Sequence, residues 1–447
     1  MATSKVQHDD KILIVGAGCF GISTAYHLLK RGFTNVTVID RSDVLPAPDA
    51  AGTDMNKIVR TSYSDDFYSR LAHDAIAAWK KVEEWGDCYQ ESGVLVLGSG
   101  GTSYATQSYL NDVALGSRIN LLENAESIHA VFPSDVRTGA FENYHGYLNF
   151  DGGWARAADG VSRMTAAVVA LGGKVVSGKP AVGLLKQGQK VTGVRCSSGE
   201  EINADLVVIA AGSWTASSFT ELNIGRECLA TGQDFLCIFG QSVATIQLTE
   251  EEAANYRHCP VVLDFASGFY AFPPTDKNVF KMAIDHAGYT NYLPDDTTPE
   301  KSTSTPRTIL SHGSEDGLRI PRKMVKLLRH SLSLVYPDLA KKPFACTRLC
   351  WYTDSPDGDW IIGPHPSFEG LVLATAGSGH AYKFLPVLGQ LVADSVEGKL
   401  APEIARKFAL GRQYAESSYS RRSGHMDLED LSVQELCEPK DLEAESS

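Results

Sequence analysis

The sequence lacks an apolar run long enough to cross a bilayer. Its longest, such as residues 206–211, fall far short of the roughly 20 residues that a spanning helix needs. It also lacks positive charge in bulk: Lys and Arg number 41 against 54 Asp and Glu, a net −13. That balance argues against a nucleic-acid partner, because phosphate binding needs a cationic face. The nine cysteines follow no cationic and apolar leader, so they are expected as reduced thiols and not as a disulfide framework. No metal constellation stands out. Cys346 and Cys350 are four apart, with no second Cys pair or His pair beside them. A GxSxG elbow, which would suggest a hydrolase nucleophile, is missing, and no internal repeat is found. The closing Glu-Ser-Ser is not the simple peroxisomal tripeptide. An intracellular, cytoplasmic protein without membrane contact is therefore expected.

What remains is a globular composition, 43% hydrophobic and 21% charged, over 447 residues. That length is too great for one ordinary core and predicts two domains or one elaborated domain. A short apolar strand at 11–15 runs straight into Gly16-Ala17-Gly18-Cys19-Phe20-Gly21. An amphipathic helix over 22–30 follows, with Ala25, Leu28 and Leu29 inward, and Gly32 stops it. A second strand at 36–39 closes with Asp40. This is a complete βαβ unit, with each glycine in its working place. Gly16 permits the tight turn, Gly18 lets backbone approach a pyrophosphate, and Gly21 lets the helix pack close to the strand. The helix N-terminus favours phosphate, and Asp40 is placed for a ribose hydroxyl. The motif predicts dinucleotide binding.

Strands are predicted at 174–176, 181–185, 191–196 and 205–210, the last buried, parallel and closed by a glycine turn at Gly212. Residues 268–272 and 279–284 read as a hairpin, 295–314 as a polar loop, and 321–336 as a helix burying Val325, Leu328, Leu332 and Val335. A buried strand at 371–374 enters a third glycine turn, Gly377-Ser378-Gly379-His380, before a helix that runs through Val396. One long dinucleotide lying across several strand ends needs such returns of the chain, which favours FAD over NAD. Lys281 stands inside the otherwise apolar 279–284, where an inward lysine would be costly without a purpose.

Two segments are more specific. Arg348-Leu349-Cys350-Trp351-Tyr352-Thr353-Asp354-Ser355-Pro356-Asp357 and Gly377-Ser378-Gly379-His380-Ala381-Tyr382-Lys383-Phe384 closely resemble the monomeric sarcosine oxidase family. That family includes pipecolate and saccharopine oxidases and the fungal fructosyl amino acid oxidases (amadoriases). The resemblance runs from about Lys11 to Gly398. It implies a thioether between Cys350 and the flavin, with Arg348 favouring the thiolate. It implies Lys57 near the flavin ring, and Arg60 and Lys383 on a substrate carboxylate. Lys281 would sit over the flavin and promote its reaction with oxygen, and Tyr352 would be an active-site tyrosine. Arg41, Val182, Gly377, Gly379, His380 and Lys383 join the glycine-turn residues as cofactor contacts. At Asp285 the sequence departs from its relatives: sarcosine-type members carry histidine there, four residues after the lysine, and fructosyl amino acid oxidases carry glutamate. Asp285 and the adjoining His286 therefore leave the substrate open.

The resulting expectation is an α/β protein with a discontinuous Rossmann-like FAD-binding domain and an inserted α+β substrate domain with a mixed sheet. The FAD-binding segments are 1–90, 146–225 and 345–412, the substrate segments 91–145 and 226–344, and 413–447 forms an acidic tail on the surface or disordered. The expected activity is oxidation of the C–N bond of a secondary amine on an amino-acid-like substrate, giving an imine and hydrogen peroxide, by a monomer. A fructosyl amino acid oxidase is the close alternative. An NAD-dependent dehydrogenase and a non-catalytic flavin binder are the remote ones.

Overall fold

The computed structural model describes residues 6–99, 103–222, 224, 237–285, 288–292, 303–413 and 428–444. The glycine motif folds as its spacing predicts. Strand β1 (Ile12–Val15) passes into helix α1 (Cys19–Lys30), which returns as β2 (Val36–Ile39). The helix opens at Cys19, before the apolar spacing begins, because extended Gly18 caps it directly with no side chain. Gly16 adopts φ +108°, and a Cβ there would lie 2.3 Å from the Ala210 carbonyl oxygen. At Gly21 a Cβ would stand 1.8 Å from the Gly16 carbonyl oxygen, so helix and turn touch backbone to backbone.

Strand β3 (Asn56–Val59) leaves this unit and pairs antiparallel with Gly153–Arg156. Strand β4 (Leu206–Ile209) lies parallel to β1 in register Ile12↔Leu206. The first sheet has six strands, in the order Ile361–Pro364, Leu371–Thr375, β4, β1, β2 and Lys174–Val176. All neighbours are parallel except the Ile361–Pro364 edge. The all-apolar central strands reflect burial on both faces. Helix Leu385–Val396 packs on α1, where the Ser23 hydroxyl donates to the Leu385 carbonyl at 2.7 Å.

A second sheet of ten strands holds β5 (Cys237–Gln247), β6 (Val279–Ile284) and β7 (Cys346–Asp354). Strand β5 is central to this group. It pairs antiparallel with β6 through Thr245↔Lys281 and with β7 through Gln241↔Cys350. Paired residues share a face, and so do positions two or four apart on one strand. Register alone therefore sets Lys281, Arg348, Cys350 and Tyr352 on one face of the second sheet. The strand carrying Cys350 joins this sheet, whereas Ile361–Pro364 and Leu371–Thr375 join the first.

Helix Arg322–Val335 buries Val325, Leu328, Leu332 and Val335 as predicted. Within the polar 295–314, residues 295–302 lie outside the described residues, and Ile309–His312 forms a helical turn. Residues 428–444 of the charged C-terminal stretch pack firmly. Glu429–Asp430 extends the second sheet beside Tyr289–Thr290, Leu431 and Cys437 are buried, and Arg329 donates to the Leu442 and Glu443 carbonyls. Among the described residues no helix is long and apolar enough to cross a membrane.

Candidate active site

The carboxyl ends of β1, β2 and β4 open into a cavity of about 490 Å³. Gly16, Gly18, Asp40, Arg41, Val182 and Gly212 line one part of it, and Lys57, Tyr352, Gly377, Gly379 and His380 another. The fit to a dinucleotide can be tested locally. A Cβ on Gly18 would meet nothing within 4 Å, so backbone is presented to open space there. The first turn of α1 carries neither a side-chain cap nor an acidic residue, leaving its N–H groups and positive dipole for an anion. Asp40 is held by the Ala17 and Ser42 N–H groups, which donate to its two oxygens at 2.8 and 2.9 Å. Arg41 stacks over the Trp214 ring at 4.6 Å. These residues fit the cofactor implied by the motif.

Beyond the glycine turns lies a buried ionic cluster. The Lys281 ammonium, 1% exposed, donates to Asp54 Oδ2 at 2.5 Å and to the Asn56 carbonyl at 2.8 Å. Lys57 donates to the same Asp54 oxygen at 3.0 Å and reaches Cys350 Sγ at 3.6 Å. Burial alone would lift the Asp54 carboxyl, but Lys281, Lys57 and Arg348 hold it well below the usual carboxylate range. The two ammonium groups share one oxygen, and depth separates them. Burial pushes Lys281 down to about 8 despite Asp54, with Lys57 adding repulsion. Lys57, whose side chain is 17% exposed, is burdened by burial but held above the ordinary lysine value, chiefly by Asp54. Cys350 is not on the cavity wall; its sulfur packs with Val243 and Ala283, behind Lys57.

A second cationic group gathers on Tyr63. Arg60, 7% exposed, lies over the Tyr63 ring at 4.4 Å and the Phe265 ring at 5.4 Å. Its Nη1 is buried with no hydrogen-bond partner among the described residues. Lys383 donates to the Tyr63 hydroxyl at 2.8 Å and to the His380 carbonyl at 2.9 Å. His380 Nδ1 meets the same hydroxyl at 3.0 Å. Tyr352 faces Tyr270, their hydroxyls 3.5 Å apart, and burial raises both, Tyr270 to about 12. Asp285 accepts from Gln241 Nε2 at 3.2 Å; His286 lies outside the described residues.

The structure therefore brings Lys57, Lys281 and Cys350 into one cluster, and Arg60, Lys383 and His380 into another. Gly21, Arg60, Lys281, Asp285, Cys350 and Lys383 are not on the cavity wall, and Val182 is 47% exposed. Sequence reasoning gave no role to Asp54, Tyr63, Gln241, Tyr270 or Trp214. A signal existed for two of them: Asp54 and Tyr63 flank Lys57 and Arg60 at steps of three.

Comparison with known proteins agrees with this architecture. Residues 11–395 match the family described as FAD dependent oxidoreductase. The L-saccharopine oxidase of Schizosaccharomyces pombe is 30% identical over 413 residues, spanning 88% of this chain and 91% of that protein. The human peroxisomal sarcosine oxidase is 25% identical over 402 residues, spanning 87% and 92%. Among solved structures, the fructosamine oxidase of Aspergillus fumigatus (Amadoriase II) superposes with a TM-score of 0.81 at 26% identity, covering 97% of this chain and 98% of that one.

Proposed function

Because the chain belongs to the FAD dependent oxidoreductase family, we propose that it is an FAD-dependent oxidase acting on the C–N bond of a secondary amine on an amino-acid-like substrate. The observation that carries this reading is the continuous cavity joining the glycine turn at Gly16–Gly18 to Tyr352, Gly379 and His380. Bound FAD would take two electrons from the substrate amine and pass them to oxygen, giving an imine and hydrogen peroxide. Arg60 and Lys383 bind the substrate carboxylate and so orient the C–H bond for transfer. Tyr63 fixes the pair, its ring under the guanidinium and its hydroxyl on the ammonium. Lys281 supplies positive charge where negative charge develops during reaction with oxygen. No side-chain base is required, since the neutral amine's own lone pair can drive the transfer. Cys350 is the point of covalent flavin attachment, with the Lys57 ammonium 3.6 Å from its sulfur. The working unit is a monomer.

A second reading, a fructosyl amino acid oxidase, is favoured by the acid at Asp285 and by likeness to the fructosamine oxidase structure. The first test is acid denaturation followed by a visible spectrum of the protein fraction. A flavin spectrum that stays with the polypeptide and disappears in Cys350→Ala is expected. Free FAD in the filtrate would keep the oxidase and sink the Cys350 tether. No flavin at all would sink the reading itself.

A further inference from the structure

We propose that Asp54 is a positioning residue of this oxidase, whose single carboxylate holds Lys281 charged and in place while sharing its oxygen with Lys57. The inference deepens the proposed function and rests on its assignment of Lys281. Three observations carry it. Asp54 is 5% exposed and receives both ammonium groups on Oδ2, at 2.5 and 3.0 Å. Lys281 is 1% exposed, and its remaining neighbours offer a neutral carbonyl, Asn56, and an aromatic face, Phe272, at 4.8 Å. The other charged or titratable groups facing the cluster are Lys57 from β3, Arg348 and Cys350 from β7, and Tyr270 from the neighbouring strand. Two of these, Lys57 and Arg348, are cations. Asp54 is the carboxylate that both lysines share, while Arg348 is offset by Asp49 as well.

A buried ammonium without a counter-charge sheds its proton. Without Asp54, Lys281 would become neutral at lower pH and lose its fixed direction, since the Asn56 carbonyl alone would hold it. Lys57 acts the opposite way, because it competes for the same oxygen and repels Lys281. Removing Asp54 and removing Lys57 should therefore move the titration of Lys281 in opposite directions. A merely structural role for Asp54 predicts no such opposition.

The test uses the holoenzyme and sulfite, whose lone pair adds reversibly to the flavin ring and bleaches its visible colour. The negative adduct is favoured by a cation beside the ring, so its dissociation constant reports that charge without turnover. In the unaltered protein sulfite affinity should fall as pH rises through about 8, where Lys281 loses its proton. In Asp54→Asn the fall should come at least about one pH unit lower, the smaller end of what a lost counter-charge produces. Asp54→Glu should restore the original midpoint, and Lys57→Met should move it higher. In a Lys281→Met background the step should vanish, and Asp54→Asn should then change nothing further. An unmoved midpoint in Asp54→Asn, or a shift that persists without Lys281, overturns the proposal while leaving the oxidase intact. If Asp54→Asn fails to fold, the double variant Asp54→Asn/Lys281→Met should recover solubility and flavin, because it leaves no Lys281 charge unpaired; failure to recover also overturns it. An unaltered protein that binds no flavin removes the proposed function and this inference together.

Discussion

Two cationic groups grow from one stretch of chain, Asp54 to Tyr63, and they are finished differently. Lys57 and Lys281 close on a protein carboxylate, Asp54, and the cluster carries its own counter-charge. Arg60 and Lys383 gather on Tyr63: the guanidinium lies over its ring, with Tyr104 also acting on it, and the ammonium donates to its hydroxyl, while Arg60 keeps one buried Nη1 without a hydrogen-bond partner among the described residues. A buried guanidinium ordinarily needs an anion to repay its desolvation. The first group holds its counter-charge within the protein; the second is the one proposed to receive the substrate carboxylate, through Arg60 above all.

The sharpest way to break that contrast is Arg60→Met. Losing one partner of a buried charge pair costs about 2–5 kcal/mol, so kcat/KM for a carboxylate substrate should fall by roughly 30- to 5,000-fold. The corresponding amide, which has no charge to pair, should lose far less. Equal losses for acid and amide in steady-state kinetics would remove Arg60 as the carboxylate's partner. Next in size is Lys281→Met. Deleting one charge-stabilising donor commonly costs on the order of 10² in rate, and here the loss should fall on oxygen's reaction with the reduced enzyme. Stopped-flow mixing with substrate in the absence of oxygen should show flavin reduction little changed. The sign with pH follows from the depressed lysine: its charge is present below about 8 and absent above. Reoxidation of the unaltered enzyme should therefore slow as pH rises through that value, and Lys281→Met should be flat across it.

The contrast also marks what the sequence could carry. The βαβ unit was legible because local rules over about 30 residues specify it, and Gly16 and Gly21 fold with the close contacts their spacing demands, while Gly18 presents backbone to open space. Lys281 could be suspected because a charge interrupts an apolar strand. Its partner could not. Asp54 and Lys281 are 227 positions apart, one just before β3 and the other on β6 of a different sheet, so only the tertiary fold brings them together. Tyr63 was hidden for the same reason, since its value lies in bridging Arg60 to Lys383, 320 positions on. The packed 428–444 stretch read as a tail because few of its residues are large and apolar. Arginine side chains capping its carbonyls hold it, and composition does not report such bonds.

The smallest expected effect concerns the far side of the same face, where Asp285 meets Gln241. This acid is one carbon shorter than the glutamate of fructosyl amino acid oxidases, so any sugar hydroxyl it receives must come closer to β6. A hydrogen bond to a charged group contributes about 1.5–3 kcal/mol, and part of Asp285's capacity is already used by Gln241. Asp285→Ala should therefore cost a fructosyl amino acid on the order of tenfold in kcat/KM by the lower figure. Sarcosine, which is too short to reach beyond the C–N bond, should change by less than about twofold, within the scatter usual for substitutions away from a contact. Steady-state kinetics on both substrates decides the matter. Equal losses would mean that Asp285 acts through Gln241 and Tyr352 on the shared reaction, and the acid would then no longer favour a sugar-bearing substrate.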